Sequence, residues 1–302
     1  MTLHEPVLLK ESIDGLITDK NGIYVDVTFG FGGHSREILK KLGPNGRLIG
    51  FDQDEDVLIV EMDDPRFGLH HANFRFLDHF LTVLEIEGVH GILADLGVSS
   101  YQLDVPERGF SYREDAPLDM RMNSKAELTA MKILNEYEEK ELVKMFSDYG
   151  QVRNAKQLSA VIVRQRQANP FSGVAMFLSA ISGCIRGKRN RYLSQVFQSL
   201  RIEVNDEMNV LKDLLMTAAK RLLPGGRLVV ISYHSGEDRL VKHFLKTGNF
   251  KGIPEKDDFG NVIKPFELLN RKIIVPGEEE LKRNSRSRSA KLRIGEKIEV
   301  NK

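Results

Sequence analysis

The chain has little cysteine: Cys184 is the one thiol in 302 residues. That excludes an internal disulfide and any cysteine-rich zinc site. Cys184 itself lies among apolar residues at helical spacing, which suits a small packing residue better than a nucleophile. Long apolar runs are also missing. None approaches the ~20 residues that span a bilayer, so no membrane partner is expected. The opening residues, Met1-Thr-Leu-His-Glu-Pro, show no basic region followed by an apolar one. No secretory signal is therefore expected, and the expected location is cytoplasmic. No G-K-[ST] motif appears, which leaves a triphosphate site unsupported. The dinucleotide pattern G-x-G-x-x-G fails as well, because counting from Gly30 its third glycine falls on Ser35. No set of histidine, cysteine and acid has metal-ligand spacing, so no metal is expected.

One further absence is regional. From Gln151 to Gln195 there is no Asp or Glu, while Arg153, Lys156, Arg164, Arg166, Arg186, Lys188, Arg189 and Arg191 are all basic. The tail is similar: Lys282, Arg283, Arg286, Arg288, Lys291, Arg293, Lys297 and Lys302 stand against Glu296 and Glu299. Basic runs are usually solvated faces, but ordinary surfaces mix both signs. Two such stretches in a chain of net charge +1 point to a polyanionic partner, with nucleic acid first among the candidates. Otherwise the composition, 41% hydrophobic and 29% charged, is that of a soluble globular protein. The length suffices for one large core or two domains.

What is present begins with Asp26-Val-Thr-Phe-Gly-Phe-Gly-Gly-His34, which follows an apolar stretch. Nineteen positions beyond Gly33, a second strand-like run ends in Asp52. A strand, a glycine turn, a helix and a second strand with a terminal acid make half of a nucleoside-cofactor site. Glycines let backbone N–H groups approach a ligand, and the acid accepts two hydrogen bonds from a ribose. S-adenosyl-L-methionine fits best, since it needs the ribose acid and has no phosphate to cradle. A glycine turn between strand and helix also occurs in any α/β protein, and that alternative stays open on the glycines alone.

Strands are predicted at 23–28, 47–52, 67–71 and 90–95, with helices at 33–42, 54–62 and 78–87 between them. This alternation predicts an α/β fold with a parallel sheet. It resumes with a helix over 203–223 stopped by Pro224-Gly-Gly, a strand over 227–232, a helix over 236–245, and strands over 266–275 and 290–300. Between Asp95 and Glu203 the alternation stops. An ordered loop over 105–122 is followed by helical spacing over 128–185. The chain thus reads as one α/β domain with a helical insertion between its fourth and fifth strands. The expected boundaries are 1–109 and 200–302 for the sheet domain and 110–199 for the insertion.

In such sheets ligands bind at the carboxyl ends of the strands, near the switch in strand order. The glycine turn, Asp52, Asp95 and His234 all fall there, and Phe74 is placed to stack on an adenine. An acid or histidine at a strand end is often only a cap or turn former, so each is weak alone.

Across almost its whole length the chain resembles the RsmH (MraW) family of small-subunit ribosomal RNA (cytosine-N4)-methyltransferases. The matching segments are His4-Glu-Pro-Val-Leu-Leu, the block from Asp26 to Ser35, Asp52-Gln-Asp, and Gly91-Ile-Leu-Ala-Asp-Leu-Gly-Val-Ser-Ser-Tyr-Gln-Leu-Asp. They continue with Glu107-Arg-Gly-Phe-Ser, Leu118-Asp-Met-Arg-Met, Phe197-Gln-Ser-Leu-Arg-Ile, Ile231-Ser-Tyr-His-Ser-Gly-Glu-Asp-Arg and Arg286-Ser-Arg-Ser-Ala-Lys-Leu-Arg. The chain departs from the family pattern at Tyr101, at Gly236 and over Arg191-Tyr-Leu-Ser. The resemblance implies a Rossmann-like S-adenosyl-L-methionine-dependent methyltransferase sheet with an inserted helical substrate domain, and it implies that Gly32, Gly33, His34, Asp52, Phe74, Asp95 and Gln102 contact the cofactor. It implies transfer of a methyl group from S-adenosyl-L-methionine to N4 of a cytosine in 16S ribosomal RNA, within the small subunit. A homodimer is compatible with the sequence.

Direct displacement needs no covalent adduct to the base, which agrees with the lack of a nucleophilic cysteine. As charge develops on N4, an acceptor for its hydrogens is required. Asp95 is the first choice, with Ser99 and Ser100 as neutral helpers; a purely cofactor-binding Asp95 is the alternative. Arg108, Phe110, Asp119 and Arg121 in the loop, Arg186, Lys188, Arg189 and Arg191 in the insertion, and His234 are the candidate substrate residues. Packing of the loop onto the sheet, and a structural hydrogen bond for His234, are the blander alternatives. Two rival functions are a methyltransferase for protein or small molecules, disfavoured by the basic stretches, and a non-catalytic RNA module, disfavoured by the intact glycine turn and acids.

Overall fold

The computed structural model describes residues 6–270 and 272–299; His4, Glu5 and Lys302, named above, lie outside the described residues. Helix α1 (Leu9–Leu16) precedes an alternating run of β1 (Ile23–Asp26), α2 (Gly33–Lys41), β2 (Arg47–Asp52), β3 (Phe67–His71), α3 (Leu77–Val83) and β4 (Val89–Asp95). Helices α4 (Ser100–Asp104), α5 (Ala130–Glu136), α6 (Glu139–Asp148), α7 (Ala155–Ala168), α8 (Val174–Ile181) and α9 (Arg189–Val204) follow. Alternation returns with α10 (Glu207–Arg221), β5 (Leu222–Ser232), α11 (Ser235–Thr247), β6 (Phe266–Leu268), α12 (Glu278–Arg283) and β7 (Lys291–Lys297). Among the described residues no helix is long and apolar enough to cross a membrane.

The chain folds as two compact units, one built from the residues up to Gly97 together with those from Met208, the other from Val98–Glu207. The first is a mixed sheet in the order β3-β2-β1-β4-β5-β7-β6. The strands from β3 to β5 run parallel, and β7 is antiparallel between β5 and β6. The inner parallel strands β1, β2 and β4 read as largely apolar runs because they are buried on both faces; Ile92, Leu93 and Ala94 of β4 are all fully buried. Strand order switches direction at β1, which has β2 on one side and β4 on the other. The carboxyl ends of β1 and β4 therefore open a crevice.

Three elements differ from the sequence reading. The helix expected over 54–62 is a 3₁₀ turn at Glu55–Ile59, capped by the Asp54 side chain. Val57 is buried there but Leu58 and Ile59 are exposed, so the buried apolar face is too small to hold an α-helix. The chain past α10 does not stop at Pro224. Leu222 already pairs with Val89, the register shifts, and pairing resumes at Gly91 with Arg227, with Gly225 at φ +77° in the looped-out turn. Finally, the strand expected over 266–275 ends at Leu268. Asn270 interrupts it, its side chain accepting from the Ile294 N–H and donating to the Leu292 carbonyl in place of backbone pairing.

The helical unit has its own core, centred on residues such as Phe146, Leu158, Phe177 and Leu193. Phe171 and Phe177 meet edge to face with centroids 5.6 Å apart. The unit begins at Val98 rather than at 110, and Val98 and Leu103 pack on this core. It runs past 199 because α9 stays buried through Val204 and Arg201 pairs with Glu207 at 2.8 Å.

Candidate functional site

Three carboxylates stand at the carboxyl ends of neighbouring strands: Asp26 on β1, Asp52 on β2 and Asp95 on β4. Asp26 is buried; it accepts from the Ser35 hydroxyl at 2.7 Å and the Thr28 N–H at 3.2 Å. Burial outweighs those bonds, and with the charge of Asp52 nearby its pKa rises to about 6. Asp52 accepts the Gly30 N–H on one oxygen (2.8 Å) and the Asp54 N–H on the other (3.0 Å). Burial again dominates and raises it to about 6. A carboxylate has four acceptor positions, so each oxygen of Asp52 retains capacity for a ribose hydroxyl.

Asp95 is raised furthest, to about 7, by burial and by the charges of Asp26, Glu237 and Glu280, against the lowering bond from Tyr233. The Tyr233 hydroxyl donates to Oδ1 at 2.8 Å, and the Asp95 N–H donates to Thr28 Oγ1 at 2.7 Å. On the other side, His34 Nδ1 lies 3.9 Å from Oδ2. The Asp95 side chain is 22% exposed, so it remains reachable by a ligand. Neither Asp26 nor Tyr233 was among the candidates drawn from the sequence. Asp26 carries the same signal as Asp52 and Asp95, an acid ending an apolar strand. Tyr233 has no local signal; it reaches Asp95 across 138 residues because β4 and β5 are neighbours.

The glycine turn serves its surroundings as much as a ligand. Gly30 and Gly32 take φ of +52° and +76°, which favours glycine. A Cβ on Gly33 would lie 2.3 Å from Pro6 Cγ, and one on Gly32 would press on Phe29 and Met62. Those two glycines thus admit the chain's own side chains, while a Cβ on Gly30 would meet open space. His34 is buried, with Nε2 3.1 Å from the Val7 carbonyl. Phe74 is partly buried beside the β2 end, where the Ala72 N–H bonds the Asp52 carbonyl and Asn73 bonds Gln53. His234 caps α11: its Nδ1 accepts the Gly236 and Glu237 N–H groups, and Glu237 returns bonds to Tyr233 and His234. Its Nδ1 is thereby committed to the cap, while Nε2 lies 3.2 Å from Glu237 Oε1.

These residues fit S-adenosyl-L-methionine on chemical grounds. Burial raises all three acids, with smaller contributions from the charge of Asp52 on Asp26 and of Asp26 on Asp95, and a ligand bearing an ammonium and a sulfonium would favour their charged forms. The amino end of α2, beside Gly32, suits the ligand's carboxylate.

The remaining candidates lie in the helical unit. Ser99 caps α4 in a box with Gln102, whose side chain accepts the Ser99 N–H at 3.0 Å; Ser100 opens the helix. Arg108 donates to the carbonyls of Arg121 and Met122 and sits over the Phe110 ring, which is itself in the core. Arg121 forks onto Asp119 at 2.8 and 2.6 Å and donates to the Ala126 carbonyl at 2.6 Å. Burial pushes the Asp119 carboxyl up, but the arginine's bonds win and hold it below the usual range. All four side chains therefore order the loop. Replacing Arg121 by Ala is expected to cost about 1–3 kcal/mol of stability, because it strips a charge-assisted fork from Asp119. Urea unfolding checks this, and unchanged stability with weakened RNA binding would instead make Arg121 a substrate contact. Arg186, Lys188, Arg189 and Arg191 are exposed around the amino end of α9. In the tail, Arg286 and Arg288 are exposed, but Arg293 is buried on Asp238 at 2.7 Å.

A model of the MraW methylase family matches residues 1–298. The protein named ribosomal RNA small subunit methyltransferase H from Flavobacterium johnsoniae is 54% identical over 299 residues, 99% of each chain. Its namesake from Bacteroides thetaiotaomicron is 54% identical over 298 residues, 98% of each. Among solved structures, an rRNA methylase from Streptococcus thermophilus aligns with 99% of this chain and 100% of its own, at 12% identity and a TM-score of 0.41. With a family model spanning nearly the whole chain and relatives identical at more than half of their positions, the chain belongs to the MraW methylase family.

Proposed function

We propose that this chain transfers a methyl group from S-adenosyl-L-methionine to the exocyclic N4 of a cytosine in 16S ribosomal RNA, acting in the cytoplasm on the small subunit or its RNA. The carrying observation is the row of three carboxylates at the ends of β1, β2 and β4, a site made for a cationic nucleoside. Family membership and relatives named for small-subunit ribosomal RNA support the substrate. The cofactor supplies a methyl group already activated by its sulfonium, so the chain's own work is binding, orientation and proton removal. Asp52 and the Gly30 turn would hold the ribose, Phe74 would flank the adenine, and the α2 amino end would receive the carboxylate. Gly32 and Gly33 shape that turn, and His34 stands behind it.

N4 of cytosine shares its lone pair with the ring, so attack builds positive charge on the amino group. Asp95 is the group placed to accept a hydrogen from it: one oxygen is held by Tyr233, and the other faces His34. In the helical unit, taken as the substrate-recognition domain, Ser99 and Ser100 begin α4 and Gln102 completes its cap. The exposed Arg186, Lys188, Arg189 and Arg191 bind RNA phosphates. Small-subunit RNA treated with the enzyme is expected to yield N4-methylcytidine on nucleoside analysis, with Asp95→Asn lowering turnover by roughly 10²–10⁴. Formation of 5-methylcytidine would refute direct displacement, since carbon attack needs activation through the ring.

A further inference from the structure

Leu8, the residue before α1, holds a backbone conformation that leucine rarely adopts. Its φ is +50°, in the left-handed region, and its side chain does not cap the helix. In a capping box the acid at the third helical position, here Glu11, would accept the N–H of the residue before the helix. That box needs an extended backbone before the helix, and Leu8 is left-handed. The Leu8 N–H donates instead to Glu280 Oε1 of α12 at 3.0 Å, across a sequence separation of 272.

The segment held in this way backs the glycine turn. Pro6 fills the space over Gly33, where a Cβ would lie 2.3 Å from its Cγ. The Val7 carbonyl lies 3.1 Å from His34 Nε2, and Val7 and Leu8 are both buried. Residues 6–8 thus meet the first two residues of α2. Glu280 is itself firmly placed. Its helix lies in a loop closed at the base by the paired Ile274 and Leu292, and just after it the buried Ser287 hydroxyl donates to the Asn284 carbonyl at 2.7 Å. Besides burial, the charge of Glu280 contributes to raising Asp95 and Tyr233, so its carboxylate lies near the same crevice.

We propose that Glu280 is a positioning residue for cofactor binding: by holding the Leu8 N–H it fixes residues 6–8 against Gly33 and His34, and so presets the glycine turn. This rests on the reading of that turn as part of the cofactor site. Without the bond the Leu8 N–H loses its partner, the left-handed backbone relaxes, and Pro6 no longer bears on Gly33. The turn is then competent in only a fraction of molecules. Apparent affinity falls with that fraction, whereas the rate of the bound complex does not. What matters is the reach of the side chain to Leu8, not its charge.

The test separates reach from charge. Glu280→Gln keeps the length and an acceptor oxygen but loses the charge. Glu280→Asp keeps the charge but is one methylene shorter. Cofactor affinity by calorimetry, single-turnover methylation of small-subunit RNA at saturating cofactor, and amide exchange at Leu8 are measured on both variants and wild type. Glu280→Asp is expected to bind S-adenosyl-L-methionine roughly 10-fold more weakly, with a saturated rate within about twofold of wild type and faster exchange at Leu8. Glu280→Gln is expected to bind within about threefold of wild type and to keep the Leu8 amide protected. The reverse order, with glutamine weak and aspartate normal, overturns the proposal, because charge near Asp95 would then be the cause. Equal affinity in the two variants, or equal protection of Leu8 in all three proteins, overturns it as well. Asp52→Ala is the control for the underlying reading. If that variant binds cofactor as tightly as wild type, the site lies elsewhere, an outcome distinct from a silent Glu280.

Discussion

Replacing Arg186, Lys188, Arg189 and Arg191 together by Ala is expected to weaken RNA binding on the order of 10²-fold near 0.1 M salt and to flatten its salt dependence. Each cation that neutralises a phosphate releases condensed counterions, so the slope of log affinity against log salt reports how many contacts were lost. The placement of these residues sharpens the expectation. Lys188 is the cap position of α9, Arg189 and Arg191 fall in its first turn, and no acid accompanies them. Cations at a helix amino end oppose the helix dipole at about 0.3–1 kcal/mol each. Removing Lys188, Arg189 and Arg191 should therefore not lower stability, whereas Arg186 donates to Gln157 Oε1 at 2.9 Å. A urea midpoint measured beside the binding curve separates lost contacts from unfolding. Cofactor affinity should not change. The comparison set is Arg286, Arg288 and Lys291 in the tail, of which Lys291 already lies 3.8 Å from Asp238. Fluorescence anisotropy at several salt concentrations is the measurement. A wild-type slope in the α9 variant, with a flattened slope in the tail variant, would move the RNA anchor to the tail.

The second large effect concerns pH. Without cofactor, stability should fall as pH rises from about 4 to about 7. Asp26, Asp52 and Asp95 have folded-state pKa values of about 6, 6 and 7, all raised chiefly by burial. Their unfolded values lie near 3.9, so across this window the folded chain binds more protons than the unfolded one, and raising the pH favours unfolding. Fully expressed, the three together amount to something on the order of 5 kcal/mol, after allowance for the water that reaches Asp95 and Asp52. His70, lowered by burial, works in the opposite direction over the upper part of the window, but it is one group against three. The ion-paired acids Asp64, Asp78 and Asp119 have lowered values, so the stability they contribute is lost only below about pH 4 and leaves this window clear. S-adenosyl-L-methionine, binding the ionised acids through its positive groups, should stabilise more at pH 8 than at pH 5. Urea midpoints at both pH values, with and without cofactor, test this. Apo protein that is equally stable or more stable at pH 8 would mean that burial does not raise these acids in the folded chain. Asp95→Asn should flatten the slope.

The same residues show where sequence reasoning succeeds. Strands β1, β2 and β4 were legible because a strand buried on both faces is an unbroken apolar run, and each ends in an acid that apolar packing cannot explain. Asp52 and Asp95 were picked out by that signal, and Asp26, which carries it equally, was read only as the start of the glycine block. The helical stretch was legible from its 3.6-residue spacing, but its limits were not. Val98 and Val204 belong to its core through contacts that no local pattern encodes.

For the loop residues the fold adds partners that the sequence does not display. Arg108, Asp119 and Arg121 look like phosphate and base ligands in the linear sequence, because charge and exposure in a loop usually mean binding. In the fold their polar atoms close a network among themselves and nearby carbonyls. Gly32 and Gly33 were read as openings for a ligand. Gly33 proves to be an opening for Pro6, a residue 27 positions earlier in the chain, and Gly32 one for Phe29 and Met62.

The sequence alone determined the α/β alternation, the acids at the strand ends, the missing phosphate-binding motifs and the acid-free basic stretch, because these depend on residue type and local period. Only the tertiary structure decided which groups meet. Tyr233 bonds Asp95 because β5 lies beside β4, Gly30 bonds Asp52 because β1 lies beside β2, and His34 faces Asp95 because α2 follows the strand between them. Such pairings follow from strand order, and strand order is set by how apolar faces bury one another across the whole chain, which no short window of sequence contains.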